Sequence, residues 1–532
     1  MEINNIKKES FMGGIFSPDM MNGGSGCIIS SVVCNRTATA DVGGDFNIPE
    51  HMPEMRKLIK VDVRPSAPSD FISGSGIQVN GGIEYRALYL GTDGEIYCAP
   101  FLGEYSLSVP FNDGVSAADM DKVSVTSTVY PESAVSRVGG SRRLSIRSRL
   151  SARVLALDEK KKDGYLSAPC DGHIQRLIKK KRYCTERHGV KDDTELVCSV
   201  DTSENGVRYI CSDCRVFIED AICGDGYADC RGFVSVKHIM SRDGKPYILT
   251  DKLQLSETIE ADGLAAGSSV CVSGVCTEIS VAAPVADDMS DKITVVMRLR
   301  LEASGFSCGE MEYVKDAYST EFDCDLKTES SVLPSLLACK NGNMTFSAST
   351  ELSEMGLSDG MSDIIDVSGS AAAEAAEFDG DKWTVSGKCR FNVIYGGEEN
   401  GDVSSFETEL PFKYEFDGEA GESDRFECSV TAMDVRARND GERMTFDCEL
   451  ALSCYILGKD EAEIITDIVI GDRNDRGSRG FTVCYPDKSD SLWSVAKRYR
   501  APIAETAKEN GINGGADADN IGISDGTKYM IV

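Results

Sequence analysis

The sequence FTVCYPDKSDSLWSVAKRYR, at residues 481–500, shows two periodicities in succession. Its first five residues alternate like a strand with one buried face, and a polar turn follows. Apolar residues then recur with the period of a short amphipathic helix, at Leu492, Val495, Ala496 and Tyr499. A second helical stretch, 503–510, ends at Gly511, and a strand-like stretch closes the chain at 527–532. The pattern predicts a small βααβ domain over residues 481–532.

The preceding part of the chain contains three similar β-rich segments. In each segment a strand-like stretch begins at a glycine, at Gly81, Gly232 and Gly387. An Asp-Gly or Asn-Gly pair follows each stretch and predicts a hairpin turn. The glycines are 151 and 155 residues apart, so we expect a repeated unit of about 150 residues.

A second strand pattern recurs later in each segment. Apolar and polar residues alternate over about ten residues at 144–154, 293–302 and 444–452, which predicts strands with one buried and one wet face. The residues that follow also recur, as KDGY at 162–165 and KDAY at 315–318. Three occurrences of this order support a repeated architecture.

The predicted fold class is therefore mainly β, with three repeated β-rich units of about 150 residues and a small βααβ domain at the end. We expect a poorly ordered leader at 1–40. The predicted units cover residues 41–185, 186–335 and 336–470, a flexible Gly/Asp/Arg-rich linker covers 471–480, and the final domain covers 481–532.

Composition excludes several classes of function. The chain has 532 residues and a net charge of −31, which argues against nucleic-acid binding. A basic stretch, KKKR at 179–182, fits a solvated charged face better than a phosphate or lipid site. No apolar run is long enough for a transmembrane helix, and residues 1–12 lack the apolar core of a secretory signal.

The 20 cysteines are expected to be reduced thiols packed as small hydrophobic residues, because we expect no export signal. One cluster offers an alternative, a zinc site formed by Cys211, Cys214, Cys223 and Cys230. Zinc sites usually combine two closely spaced cysteine pairs, and the second pair here has six intervening residues. We therefore predict no metal site and no cofactor.

Residues for catalysis are few. The chain has four histidines, and no nucleophile-elbow, P-loop or His-Glu-x-x-His motif is found. His238 falls on the inward phase of a strand with Val234, Val236 and Met240, which predicts a packed core histidine. We expect the protein not to be an enzyme.

The final domain resembles a LysM module, which has a strand, a Gly-Asp-Thr-Leu-Trp-like turn, two helices and a closing strand. LysM modules bind N-acetylglucosamine polymers or proteins. The resemblance implies a binding groove between the first turn and the loop before the last strand, at Ser489, Asp490, Ser491 and at Gly522, Ser524, Asp525.

Two further residues of this domain are candidate contacts. Trp493 lies off the apolar stripe, and large aromatic residues often anchor interfaces. Arg498 contributes to a cationic helix end that could meet an acidic partner. Ser489 stands where LysM modules have a turn glycine, and this change favours a protein ligand over a glycan.

The repeated units together with the terminal domain resemble the SPOCS-domain family of spore-coat proteins of spore-forming Firmicutes. The motifs are NIPEHMPEMRKLIKV at 47–61, the glycine-led strands and SLWSVAKRY at 491–499. The resemblance implies a scaffold in the mother-cell cytoplasm, at the forespore surface and spore coat. It implies binding to a SpoIVA-like coat ATPase and to other coat proteins. The alternative is a peptidoglycan-binding protein of the cortex or cell wall.

Overall fold

The structure is a computed structural model that describes residues 26–115, 122–163, 173–282, 292–353, 361–397, 403–474, 482–487, 489–512 and 529–531. The mainly β fold class is confirmed: long antiparallel strands dominate, and the described residues include two short helices. The strands form three pairs of sheets, followed by a two-stranded sheet with both helices.

The first pair of sheets encloses one hydrophobic core. One sheet has the order β1-β7-β6, and in the other β4 is central and pairs with β2, β3 and β5. Alternating residues of β4 and β7, such as Ile77 and Leu144, are fully buried between the sheets. The strands are β1 (Gly26–Asn47), β2 (Met55–Pro65), β3 (Ser69–Ser73), β4 (Gly76–Gly91), β5 (Ile96–Pro110), β6 (Val123–Val138) and β7 (Arg143–Asp163).

The second sandwich repeats this order with one strand fewer. Its sheets are β12-β13-β8 and β11-β10-β9, and they share a core that includes Val234 and Met297. The strands are β8 (Ile174–Asp201), β9 (Val207–Gly224), β10 (Tyr227–Arg242), β11 (Lys245–Glu260), β12 (Ser269–Ala282) and β13 (Lys292–Ser319).

The third sandwich has the sheets β14-β19-β18 and β15-β16-β17. Trp383, Phe391 and Phe446 fill its core. The strands are β14 (Phe322–Glu351), β15 (Met361–Phe378), β16 (Trp383–Gly397), β17 (Val403–Phe416), β18 (Arg425–Asn439) and β19 (Arg443–Arg473). In all three sandwiches the first strand pairs with the last.

The three sandwiches pack against one another. Apolar side chains from all three meet in one cluster, which includes Leu88, Ile210 and Ile394. Lys57 donates to the Ser404 hydroxyl at 2.7 Å, and Arg64 pairs with Asp213 at 2.8 Å. A cleft of about 830 Å³ lies at their junction, lined by residues of all three that include Ser127, Arg215, Arg300, Arg390 and Glu409.

The structure moves several predicted boundaries. The predicted leader, 1–40, is wrong from residue 26, because β1 pairs with β7 over its whole length. The predicted unit boundaries after residues 185 and 335 fall inside β8 and β14. β8 and β14 begin before the predicted boundaries because they stay paired with β13 and β19, which extend beyond the sandwich cores. β19 also continues to Arg473, inside the predicted linker, and residues 475–480 lie outside the description.

The last 52 residues follow the predicted order where they are described. β20 (Thr482–Cys484) pairs antiparallel with β21 (Tyr529–Ile531), and α1 (Leu492–Tyr499) and α2 (Ile503–Glu509) lie between them. The predicted apolar face is confirmed at Leu492, Val495 and Ala496, which are buried. We call residues 482–531 the terminal domain; its assignment as a LysM module stays a prediction.

Candidate functional site

The turn before α1 is shaped by side chains that the sequence analysis selected as ligand contacts. Ser491 caps the helix: its hydroxyl accepts from the Ser494 amide at 3.2 Å, and the Ser494 hydroxyl accepts from the Ser491 amide at 2.9 Å. This reciprocal capping box satisfies two backbone donors at the helix start. Ser491 therefore has a structural task in addition to any ligand contact.

Asp490 and Arg498 hold each other across this turn. The two terminal nitrogens of the Arg498 guanidinium group donate to the two carboxylate oxygens of Asp490 at 3.1 and 2.5 Å. Asp490 also accepts from the Asp487 amide at 3.1 Å. Hydrogen bonding from Arg498 lowers the pKa of Asp490, so this carboxylate is charged at neutral pH. The pair fixes the turn, and Ser489 stays exposed at its tip.

Trp493 is placed differently from the expectation. Its side chain is buried within this chain, with the residue 5% exposed. The indole N–H donates to Asp316 of β13 at 2.8 Å, and the ring packs edge-on against Tyr318 with centroids 5.1 Å apart. A partner contact at Trp493 would require this internal contact to open, so the fold does not present Trp493 as an exposed anchor, and its role in binding stays a prediction.

The Trp493 contact is part of a docking interface of the terminal domain, mainly with the second sandwich and also with the first strand of the third. Lys497 donates to both oxygens of Asp316, at 2.6 and 2.7 Å, and the Tyr318 hydroxyl donates to the Ala501 carbonyl at 2.7 Å. Arg500 pairs with Asp323 of β14 at 2.5 Å. A register shift between Val314 and Asp316 marks a bulge in β13, and bulges redirect the side chains next to them.

Sequence reasoning missed Asp316 and Tyr318 as contact residues. The recurrence of the KDGY and KDAY motifs is the signal in the sequence that marks these two residues. Of the predicted contacts, the structure brings Ser489, Asp490, Ser491 and Arg498 together at one turn. Gly522, Ser524 and Asp525 lie outside the described residues.

The exposed surface of the terminal domain is partly apolar. Val483 and Tyr485, on either side of the end of β20, are 43% and 62% exposed. They lie a few residues before the exposed Ser489. We call Val483, Tyr485 and Ser489 the tip surface. An exposed aromatic ring beside a rigid, capped turn is suited to contact with another macromolecule.

The cysteines follow the expectation only in part. The structure joins Cys428 and Cys454 in a disulfide, because they lie directly opposite on β18 and β19. Free thiols are found at 16 further cysteines whose side chains the structure describes. The alternative zinc site does not form: Cys211 lies beside Cys98 and Cys214 beside Cys276. Cys223 and Cys230 lie at the far end of the β9–β10 ladder.

Comparisons with known proteins give one match. Residues 361–437 match the family model described as SipL, SPOCS domain. No curated protein and no solved structure gives a significant match. Within the described ranges, no helix has the length and apolar character needed to cross a membrane.

The matched segment corresponds to a definite part of the fold. It covers the sheet β15-β16-β17 and most of β18, which pack against each other in the third sandwich. Through this segment the chain is similar to the SPOCS domain of SipL.

Proposed function

We propose that this protein is a non-enzymatic scaffold of spore-coat assembly that acts in the mother-cell cytoplasm, at the forespore surface. The observation that carries the proposal is the SPOCS-domain match at residues 361–437. The fold supports it, since three interlocked sandwiches offer a large rigid surface for several protein contacts. Several modest contacts on one chain raise the effective concentration of each, so avidity provides retention.

The partner we propose for the tip surface is a SpoIVA-like coat ATPase, and the sandwiches would contact other coat proteins. Two features of the terminal domain support a protein ligand. The turn is held by the Asp490–Arg498 pair, so Asp490 is not available as a free hydrogen-bonding group. The exposed Tyr485 provides an aromatic contact of the kind that is enriched at protein interfaces.

A pull-down with the purified SpoIVA-like ATPase tests the proposal. The full chain should capture the ATPase, and Tyr485→Ala should weaken capture by roughly thirtyfold, the loss of an interface hot spot of about 2 kcal/mol. The matched control is Tyr130→Ala. Tyr130 lies on β6 of the first sandwich and is also an exposed tyrosine, at 44%. Equal capture by wild type and the Tyr485 variant would contradict the proposed surface.

The alternative function, binding of peptidoglycan, is supported by the βααβ order that LysM modules share. Sedimentation of the same full-length proteins with insoluble peptidoglycan separates the two functions. We expect the chain to remain in the supernatant. Sedimentation with peptidoglycan together with failure to capture the ATPase would replace the scaffold proposal by the glycan-binding one.

A further inference from the structure

Three side chains with metal-binding atoms converge inside the second sandwich. Cys198 of β8, His238 of β10 and Asp251 of β11 place one ligand atom each within 4.8 Å of the others. Cys198 and His238 are buried, whereas the Asp251 side chain is 47% exposed. The cluster is distinct from the cysteine group at 211–230 and from the tip surface.

The two separations that involve His238 are those of a tetrahedral metal site. The Cys198 Sγ is 3.7 Å and the Asp251 Oδ2 is 3.3 Å from the same ring nitrogen, Nε2 of His238. Tetrahedral zinc, with bonds of about 2.3 Å to sulfur and about 2.0 Å to nitrogen and oxygen, separates sulfur from nitrogen by ~3.5 Å and nitrogen from oxygen by ~3.3 Å. The third separation, between Cys198 Sγ and the Asp251 carboxylate, is within 4.8 Å, so these two side chains need only move toward each other to the ~3.5 Å of a shared tetrahedral ion.

The convergence on one nitrogen excludes a catalytic triad. In a triad the nucleophile and the carboxylate contact opposite nitrogens of the imidazole ring. Here Cys198 and Asp251 both face Nε2, and the opposite nitrogen, Nδ1, faces the Ser212 hydroxyl at 2.6 Å. The arrangement suits a metal ion instead, because one ion can bind three ligand atoms that face a common point.

The neighbours of His238 fit a ligand role. The Ser212 hydroxyl can accept a hydrogen bond from Nδ1–H, and the Tyr209 hydroxyl lies 2.8 Å from the Ser212 hydroxyl. Both hydroxyl groups rotate, so they can support the tautomer that leaves Nε2 free for a metal. Metal-binding histidines usually have such a partner on the second nitrogen, which fixes the orientation of the ring.

We propose that Cys198, His238 and Asp251 bind a divalent transition metal ion, with Zn²⁺ as the best match to one sulfur, one nitrogen and one oxygen ligand. The fourth position would be taken by water on the exposed side of Asp251, as in zinc sites with three protein ligands. This site departs from the sequence-based prediction that no metal is bound.

The ion would join the two sheets of the second sandwich. Cys198 belongs to the sheet β12-β13-β8, and His238 and Asp251 belong to the sheet β11-β10-β9. An ion that binds only the folded state stabilises it by mass action. The second sandwich also carries the docking interface for the terminal domain, so the ion would strengthen the platform of that interface.

Metal titration of the full-length, reduced protein tests the proposal. After removal of metal with a chelator, Zn²⁺ should bind with one ion per chain and raise the melting temperature. Co²⁺ provides the structural readout: the wild type should show the visible bands of tetrahedral cobalt and the near-ultraviolet charge-transfer band of a cobalt–thiolate bond. The absence of Zn²⁺ binding in the wild type would overturn the proposal.

Variants assign the ligands. Cys198→Ala should abolish the thiolate band, and Asp251→Asn should weaken Zn²⁺ binding at least tenfold while leaving the fold intact, because Asp251 is half exposed. The matched control is Cys223→Ala, since Cys223 is 7% exposed and Cys198 8%. A thiolate band that persists in Cys198→Ala and disappears in the Cys223 variant would place the ion elsewhere and contradict the assignment.

Discussion

Glu186 is the buried residue at which all three sandwiches meet. Its carboxylate pairs with Arg425 of the third sandwich and accepts from His188 at 2.9 Å, and its backbone exchanges hydrogen bonds with Ser30 of the first. Burial alone would raise the pKa of Glu186. The charge of Arg425 and the hydrogen bonds from His188 and Arg425 outweigh this effect and hold the pKa of Glu186 at about 2.

This pair predicts acid sensitivity of the junction. The folded-state pKa lies below the value of about 4.3 in an unfolded chain, so the stabilisation is present above that value. It is lost as the pH falls toward 2. Glu186→Gln should lower the free energy of unfolding by about 3–5 kcal/mol at pH 7, because it leaves the charge of Arg425 buried and unpaired.

Urea unfolding at a series of pH values from 7 to 3 measures this effect. The difference between wild type and the Glu186 variant should shrink as the pH falls. Glu310→Gln is the control, because Glu310 forms only an exposed ion pair with Lys180. A difference that does not change with pH would contradict the role given to the Glu186 charge.

At the scale of single elements, the bulge in β13 attaches the terminal domain. Asp316→Ala removes the acceptor for both Trp493 and Lys497, so we expect the terminal domain to detach and Trp493 to become exposed to water. Trp493 fluorescence should then shift to longer wavelength. The measurement needs the Trp383→Phe background, because Trp383 is the other tryptophan of the chain.

The control for the detachment is Asp467→Asn, which breaks an exposed ion pair with Lys327 and should leave the emission unchanged. Unchanged emission in the Asp316 variant would show that the apolar contacts with Tyr318 are sufficient for docking. The expected role of the charged contacts would then be wrong.

The elements also show what the sequence can and cannot predict. The alternating patterns in β7, β13 and β19 and the apolar face of α1 are local signals, and they predicted these elements correctly. Trp493 was misjudged because helical periodicity reports one buried face, whereas α1 buries a second face against β13. The start of β8 was missed because the charged stretch 179–182 has no apolar alternation, although it pairs with β13.

At the scale of the whole molecule, a pair of thiols lies between the second and third sandwiches. The sulfur atoms of Cys271 in β12 and Cys339 in β14 are 3.1 Å apart. Treatment with diamide, which accepts two electrons and two protons, should join them in a disulfide and raise the stability of the interface. Peptide mapping by mass spectrometry should identify a linked pair of peptides that contain residues 271 and 339.

Cys339→Ser should remove this linked pair, and Cys324→Ser, a change on the same strand, should leave it in place. If diamide links other thiols and never this pair, the two sandwiches do not hold these sulfur atoms in contact in solution.

The pairing of first and last strands has a consequence for how the protein is made. Gly26 of β1 pairs with Asp163 of β7, and the first and last strands of the other two sandwiches are also paired. During synthesis on the ribosome, each opening strand must therefore wait, with unpaired backbone groups, until its closing strand has emerged. Exposed strand edges of this kind promote aggregation, and pairing between strands far apart in sequence makes folding slow. Synthesis of every chain thus includes this delay three times, once for each sandwich.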